Sequence, residues 1–412
     1  MIPTELIEDP QSVERGWANR QVWAIAMSAF FADLGYQAVI AGLPLFLVFD
    51  LHASAMTFAL ATAVGYGGGA IAGLIGGRLG DRFGHRRVSI AGNAFIPLLS
   101  LIGFVNVPFA AAALFVAGWW ARNLRSPPRR ALLVASVPSP GDRGRAFGLL
   151  HGLDVGGGMM AALAAIGLLD AGWSLSSVFL LTAAPLAVST LILACLVSES
   201  PSRASCEKVD LKLPRLDRPP GSPGRNRPVA GVLIAATMFG FSFYSVGFPV
   251  LTVAQHSHGM VRGFLVFAIF SGVSGAVGFL VGQRRWSAVA TLGVGGFGLS
   301  AMASIAIGVA AYYNLGFLAL SLAVAALGAG LGVMETVEPT LIAALTPTHR
   351  HGAGMGNLAA ARSVGLFIGN LMMGVLYVHG ELLAYSYAAG AALLGAFIIL
   401  LLGRGTGVTI SS

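Results

Sequence analysis

The chain has 412 residues, of which 56% are hydrophobic and only 10% are charged, and its formal net charge at pH 7 is +8. A composition this apolar excludes a soluble globular protein and predicts a protein embedded in the lipid bilayer. The basic residues gather between apolar segments, as they do in the cytoplasmic loops of membrane proteins, so we expect no nucleic-acid partner.

Long uncharged runs alternate with short polar segments along the chain. A bilayer core about 30 Å thick requires roughly 20 apolar residues per helix, and backbone groups in lipid must be satisfied within each helix. The pattern therefore predicts an all-α polytopic membrane protein with twelve transmembrane helices. We place these helices at 22–48, 54–77, 88–105, 108–137, 144–168, 173–197, 229–254, 261–283, 287–310, 315–345, 353–378 and 383–402.

The positions of the basic residues predict the orientation of the chain. Most of the 25 lysines and arginines fall on one side of the membrane if the first helix starts in the cytoplasm. Because cytoplasmic loops retain these residues, both termini are expected to be cytoplasmic. The sequence contains no Asn-x-Ser/Thr acceptor, which fits a bacterial inner-membrane protein.

A polar segment rich in proline and charge divides the chain after the sixth predicted helix. Such composition is typical of a surface linker. We therefore predict two halves of six helices joined by a cytoplasmic linker and flanked by short cytoplasmic ends. The predicted boundaries are 1–20 for the N-terminal segment, 21–198 for the first half, 199–228 for the linker, 229–403 for the second half and 404–412 for the tail.

The two halves resemble each other in sequence. The segment "ALLVASVPSPGDRGRAFG" at 131–148 overlays "TLIAALTPTHRHGAGMG" at 340–356 with one gap. In this overlay Arg129 coincides with Glu338, and Asp154 coincides with Arg362, so the signs of the charges are exchanged. Because each pair lies at similar depth on two consecutive helices, we predict the structural ion pairs Arg129 with Asp154 and Glu338 with Arg362.

The loop between the second and third predicted helices, "GGRLGDRFGHRR" at 76–87, resembles the conserved loop of the major facilitator superfamily. The matching gating residues are Gly77, Asp81, Arg82, Gly84, Arg86 and Arg87. The resemblance implies the fold of that superfamily, with two pseudo-symmetric six-helix halves, and a contact of Asp81 with the start of the eleventh helix at 352–356. Gly77 would allow a close helix approach. The alternative is that the arginines only anchor the topology.

The same resemblance implies a secondary transporter that works by alternating access, with predicted helices 1, 4, 7 and 10 around the cavity. Charged side chains within the membrane are the functional candidates because they are costly there. Asp33 shares a face of helix 1 with Tyr36 and Gln37. It is a candidate proton carrier, and a permanently paired structural acid is the alternative. The proton-coupling candidates are Asp33, Asp154, Glu335 and Glu338.

Predicted helix 4 contains "WWARNLRSPPRRALL", in which arginines recur at helical spacing. Guanidinium groups pair well with carboxylate or phosphate, which suggests an anionic or zwitterionic solute. The acids of the cavity would equally tolerate a cation. The substrate-binding candidates are Tyr36, Gln37, Trp119, Arg122, Arg125 and Tyr244.

We expect proton-coupled efflux of a small organic molecule by antiport, and the alternative is symport uptake of an organic anion. A more distant alternative is a polytopic membrane enzyme or receptor, but the scattered histidines do not form a catalytic cluster. The sequence predicts no enzymatic activity, no cofactor and no metal site, since "HSH" at 256–258 lacks a third ligand. A monomer is expected.

Overall fold

The structure is a computed structural model that describes residues 16–137, 143–199, 245–282, 286–345 and 351–402, and residues 234–240 except 236 and 239. The predicted linker and both chain ends thus lie almost wholly outside the described residues, as does Tyr244. The side chains of 143–145, 339, 342–345, 351–357, 359, 360 and 402 are also outside this description.

The first part of the described chain forms six helices joined by short turns. Helix α1 passes from an α-helical body into a π-helical end, α3 ends in 3-10 geometry, and α6 consists of two pieces that meet at Thr182. These helices are α1 (Arg20–Leu45, then Phe46–Asp50), α2 (Ala55–Phe83), α3 (His85–Phe95, then Ile96–Phe104), α4 (Pro108–Ser136), α5 (Arg143–Asp170) and α6 (Leu175–Leu181 and Ala183–Cys195).

The second part repeats this arrangement. Only the outer end of α7 is described as a continuous segment. Helix α9 contains a π-helical stretch, Thr291–Gly298. These helices are α7 (Gly247–His256), α8 (Met260–Gly282), α9 (Ala288–Tyr312), α10 (Gly316–Leu345), α11 (His351–His379) and α12 (Glu381–Leu402). The predicted all-α polytopic architecture is confirmed.

Within the described residues, ten helices are long and apolar enough to cross a membrane. The two others are α4 and α7. Helix α4 runs through 29 residues but carries four arginines between Arg122 and Arg130, which lower its hydropathy. For α7, the continuous described segment is only the 10 residues Gly247–His256.

Two consecutive prolines, Pro127 and Pro128, lie inside α4 without breaking it. Proline lacks an N–H, so Pro128 leaves the carbonyl of Leu124 without its usual helical donor. Helix α2 packs against that carbonyl at Gly76, where an added Cβ would overlap Leu124 O. A side chain at position 76 would therefore clash with the α4 backbone one turn before Pro128.

In the part of the chain that the structure describes, the apolar core connects both halves at one end of the bundle. Inner and outer are used in the sense of the orientation that the arginines predict. At the outer end one continuous cluster includes Phe46 of α1, Phe58 of α2, Phe248 of α7 and Phe264 of α8. The rings of Phe58 and Phe248 meet edge to face, with centroids 5.2 Å apart. The outer end is therefore sealed by residues from both halves.

At the inner end the described apolar residues form two separate clusters. One contains Val22 of α1, Leu132 of α4 and Leu193 of α6. The other contains Leu292 of α9 and Val337 of α10, with further residues of the second half. Within the described residues, each of these two clusters stays within one half, and the region between them is referred to as the inner opening.

Candidate functional site

Asp33 occupies the middle of α1, where its side chain is only 3% exposed. The hydroxyl of Tyr36 donates to Asp33 Oδ1 at 2.5 Å, and the amide of Gln37 donates to the same oxygen at 3.2 Å. The other oxygen, Oδ2, is buried and has no hydrogen-bond partner in the described part of the chain. The predicted shared face of these three residues thus becomes a hydrogen-bonded cluster around one carboxyl group.

Helix α5 covers Asp33 through a glycine. A Cβ at Gly157 would lie 2.5 Å from Phe30 O and 3.1 Å from the Cβ of Asp33. The next residue, Gly158, lies against Gln37 in the same way. Since small residues allow such close helix contact in membranes, the glycine-rich segment of α5 encloses the carboxyl group.

Arg122 of α4 reaches this cluster from the other side of Tyr36. Its Nε donates to Tyr36 Oη at 3.3 Å, and its guanidinium carbon lies 4.9 Å from the ring centre of Trp119 and 5.5 Å from that of Tyr36. The two terminal nitrogens make no hydrogen bond within the described residues and are not buried. Arg122 therefore presents a partly desolvated cation with free donors to the open side.

Arg125, predicted to bind substrate, is placed elsewhere by the structure. Its side chain is completely buried and donates from Nη1 to Asn93 Oδ1 of α3 at 2.7 Å. Asn93 in turn donates to Ser189 and Thr190 of α6. Three residues along a helix correspond to a rotation of about 300°, so Arg125 turns towards α3 and not towards the opening. It is a buried structural arginine.

Tyr36 and Trp119 were also predicted to contact substrate. The structure buries Tyr36 completely, where it connects Asp33 to Arg122. Trp119 is stacked on Phe115 and meets Tyr66 edge to face, with centroids 4.8 Å apart. Because Tyr36 has no exposed surface, its hydroxyl contacts Asp33 and Arg122 and is not accessible to a solute. Trp119 packs against the guanidinium of Arg122.

The repeat-derived charge pairs are brought together in both halves. In the first half, Arg129 Nη2 lies 3.6 Å from Asp154 Oδ2, joining α4 to α5. In the second half, Arg362 Nη2 lies 2.7 Å from Glu338 Oε2, joining α10 to α11, and Arg362 Nη1 donates to Glu335 at 2.9 Å. Arg129 and Glu338 are almost wholly buried, which fits a structural role for both pairs.

Glu335 differs from Glu338 in its access to the opening. Its side chain is 38% exposed, whereas that of Glu338 is completely buried. Arg130 and His151 of the first half, both exposed, interact electrostatically with Glu335. The inner opening is therefore flanked by basic groups on one half and by an acid on the other.

At the gating loop, Glu199 caps the start of α3. Glu199 accepts hydrogen bonds from the backbone N–H groups of His85 at 2.8 Å and Arg86 at 2.9 Å. The side chain of Arg86 donates to Val197 O at 2.6 Å and also to Ala194 O. These hydrogen bonds in both directions connect the start of α3 to the end of α6.

Asp81 is 79% exposed and lies 3.6 Å from His85. Its predicted partner, the start of α11 at 352–356, lies outside the residues whose side chains the structure describes. Gly84 turns the chain with a φ of +96°, a conformation that favours glycine. Arg82 lies over the ring of Phe83, and Arg87 is exposed.

The close approach predicted for Gly77 occurs one residue earlier. Among the described side chains, a Cβ at Gly77 would meet only Pro127, at an ordinary 3.8 Å. Gly76 is the residue that packs against the α4 backbone. The motif alone could not distinguish the two glycines, because the carbonyl exposed by Pro128 decides which one faces α4.

Sequence reasoning missed a neutral polar cluster that joins the halves on the outer side of the Arg122 region. Asn370 Oδ1 of α11 accepts from the hydroxyl of Thr62 and from the backbone N–H of Ser245, each at 3.1 Å. The hydroxyls of Ser245 and Tyr66 are 3.4 Å apart. Uncharged residues on α2, on α11 and just before α7 carry no pattern that a sequence search would single out.

Comparisons with known proteins agree with this architecture. The sequence profile described as Major Facilitator Superfamily matches residues 25–325. The inward open structure of the xylose transporter XylE from E. coli superposes with a TM-score of 0.70 at 16% identity, covering 94% of this chain and 97% of that one. A POT family transporter in complex with a thioalcohol conjugated peptide gives 0.76 at 13% identity, with coverages of 97% and 99%.

The nucleoside transporter NupG, as its D323A mutant, gives a TM-score of 0.70 at 13% identity, covering 93% of this chain and 100% of that chain. No curated protein sequence matches the chain at a significant level. At these identities the solved structures establish the fold. They do not identify the solute of this chain.

Proposed function

Because the chain belongs to the major facilitator superfamily, we propose that it is a proton-coupled secondary transporter of a small organic solute, without enzymatic activity. The observation that carries the proposal is the connected arrangement of Asp33, Tyr36 and Arg122 beside the inner opening. We place the protein in a bacterial inner membrane as a monomer, with two six-helix halves at 21–198 and 229–403 and cytoplasmic termini.

The surroundings of Asp33 suit a site that gains and loses a proton. An ionised carboxylate away from water is costly unless charges and donors compensate it. Here compensation comes from the Tyr36 hydroxyl, the Gln37 amide and the cation of Arg122 behind Tyr36. Any movement of Arg122 therefore changes the stability of the charged form of Asp33. Asp154 and Glu338 are less suited because each already pairs with an arginine.

Alternating access is supported by the separation of the two inner apolar clusters and by the shared outer one in the described part of the chain. In this proposal the halves rock about the level of Arg122, so that the inner clusters meet when the outer core separates. A solute would enter from the inner side and leave on the outer side once the halves have rocked, or cross in the opposite direction.

Two directions of coupling belong to the proposal. Export by antiport is favoured by the glycine-rich segment "HGLDVGGG" at 151–158 of α5, which resembles the fifth helix of antiporter members of the superfamily but lacks their proline. Uptake by symport would instead require the solute and the proton to bind together. In symport the solute and the proton favour each other's binding, whereas in antiport each disfavours the binding of the other.

The test begins with a panel of small organic acids, amines and neutral solutes, scored by thermal stabilisation of the purified protein. The best-bound solute is then measured in proteoliposomes with and without an imposed pH gradient. We expect flux to follow the gradient in the wild type and to ignore it in Asp33→Asn. The matched control is Asp170→Asn, at the outer end of α5. Flux that ignores the gradient in the wild type would contradict proton coupling.

A further inference from the structure

The free donors of Arg122 point to the chemistry of the solute. Its guanidinium uses only Nε internally, on Tyr36, while Nη1 and Nη2 have no hydrogen-bond partner in the described chain and are accessible. The other nearby arginines differ. Arg125 is fully buried on Asn93, and Arg129 is paired with Asp154. Arg122 is thus the cation of this cluster that can form new hydrogen bonds without breaking an ion pair.

We propose that Arg122 binds the carboxylate of a monoanionic solute with an apolar or aromatic body, and that this anion is carried together with the proton of Asp33. The inference rests on the proposed proton-coupled transport. It names the solute class and selects symport over the export by antiport that the glycine-rich α5 alone favours. Two accessible Nη donors match the two oxygens of a carboxylate. Trp119, stacked on Phe115 beneath the guanidinium, supplies the apolar surface.

The one cation that a solute can reach selects a monoanion. The charged groups that face Asp33 are Arg122 and Arg125 of α4 and Asp154 of α5, and Arg129 compensates Asp154. On α1 itself, Tyr36 and Gln37 are neutral. On the other half, Glu335 is already bound to Arg362. Arg125 is completely buried on Asn93, so Arg122 is the cation of this group whose donors a solute can reach. One carboxylate neutralises that guanidinium, whereas the second charge of a dianion such as a phosphate ester would find no accessible donor in this group in a region of low dielectric.

The same electrostatics determine the sign of the coupling. With Asp33 ionised, its charge and that of Arg122 compensate each other through Tyr36. A proton on Asp33 removes this compensation and makes an anion on Arg122 more favourable. By linkage, the anion equally favours the proton. Two ligands that promote each other's binding cross the membrane together, so the arrangement predicts symport, with uptake when the proton gradient is directed inwards.

The experiment uses the purified full-length chain and nine probes: benzoate, benzamide and benzylamine, and the same three head groups on cyclohexyl and naphthyl rings. Within each set only the charge of the head group varies. We expect the carboxylates alone to raise the unfolding temperature. In Arg122→Gln the apparent affinity for the best carboxylate falls by about tenfold or more. The matched control is Arg262→Gln, at the outer end of α8, which should keep the wild-type affinity for that carboxylate.

Arg122→Lys is a second variant that controls for misfolding of Arg122→Gln. It keeps the positive charge but loses the paired donors of the guanidinium. An intermediate affinity is expected for this variant. Stabilisation by neutral or amine members, stabilisation by no member, or carboxylate binding that Arg122→Gln leaves intact would each overturn the assignment of Arg122 as the carboxylate site.

The coupling is measured separately as proton uptake when the best carboxylate is added to the protein in weak buffer near neutral pH. Net uptake, lost in Asp33→Asn, supports co-binding, and proton release overturns it. If a neutral probe binds and accumulates under a pH gradient, the proposed function stands and this inference fails. If a carboxylate binds through Arg122 but its flux ignores the gradient, proton coupling fails while the anion site stands.

Discussion

Arg362 of α11 binds the completely buried carboxylate of Glu338 of α10, with Nε 2.8 Å and Nη2 2.7 Å from Oε2. The equivalent helices of the first half carry the same relationship with the signs exchanged, between Arg129 and Asp154. Each half thus fixes one helix hairpin by a charge pair at matching depth. Each pair therefore links two consecutive helices within its own half.

Removing one partner of the buried pair should be far more harmful than weakening its exposed neighbour. Arg362→Gln leaves Glu338 as an uncompensated buried charge, so we expect a loss of about 3–5 kcal/mol of stability. Glu335→Gln removes a 38% exposed acid and should cost less than about 1 kcal/mol. Thermal unfolding of the purified variants in detergent measures both.

A charge-exchanged double variant, Glu338→Arg with Arg362→Glu, provides the control for the specific pairing. It should recover part of the stability lost in either single variant, because the double variant restores opposite charges across the hairpin. A double variant no more stable than Arg362→Gln would show that the local surroundings, and not the pairing, determine the loss.

The helix pattern and the charge pairs could be predicted from the sequence because both leave regular spacings, one in hydropathy and one as an offset between halves. The surroundings of Arg125 could not, since its turn towards Asn93 depends on how α3 packs against α4. Glu199 was also missed, because a helix cap supplied from 113 residues away leaves no local pattern.

The hydroxyl of Tyr36 should be required for coupling more than for folding. Tyr36→Phe keeps the buried ring but leaves Asp33 Oδ1 with Gln37 as its remaining donor and removes the connection to Arg122. We expect the ratio of flux with and without a pH gradient to fall by roughly tenfold, the equivalent of one hydrogen bond to a charged group. Tyr66→Phe, which alters a phenol near Trp119, should leave this ratio unchanged. Equal ratios in both variants would remove Tyr36 from the proton site.

Glu199 should stabilise the first half through its cap on α3. Glu199→Ala removes the acceptor of two N–H groups at a helix start, and about 1–2 kcal/mol of stability should be lost. Asp81→Asn, at a 79% exposed position, should change stability by about 0.5 kcal/mol or less. Thermal unfolding compares the two. A larger loss in Asp81→Asn than in Glu199→Ala would restore Asp81 as the structural acid of this loop.

His256 gives the outer side a pH-dependent contact. It lies at the outer end of α7, beyond the predicted span 229–254, with its ring nitrogens 2.6 Å from Glu381 and 2.8 Å from Asn314. Burial alone lowers the pKa of the imidazole, but the hydrogen bonds to Glu381 and Asn314 and the charge of Glu381 outweigh it, so the pKa of His256 lies above its usual value.

A raised pKa stabilises the fold fully below the unfolded value of about 6.5, and this stabilisation is lost as pH rises through the folded pKa. The unfolding temperature should therefore decline over that window in the wild type and decline less in His256→Gln. His379→Gln, an exposed histidine at the end of α11, is the control and should follow the wild type. Identical pH profiles for wild type and His256→Gln would contradict the role of this contact.

The sealed outer side depends on how closely α2 and α11 approach each other. An added Cβ at Gly374 would overlap the Cβ of Ala59, whereas Gly390 of α12 has open space around it. Gly374→Ala should therefore strain the outer-closed state by about 1–3 kcal/mol and shift the protein towards an outer-open one, while Gly390→Ala should not.

Spin labels at residues 54 and 313, exposed positions at the outer ends of the two halves, would report the change as a distance distribution in a background without Cys195 and Cys206. We expect a longer outer distance in Gly374→Ala and an unchanged one in Gly390→Ala. A distribution in Gly374→Ala that matches the wild type would mean that the strain is absorbed within α11, and that the contact with Ala59 does not control which side is open.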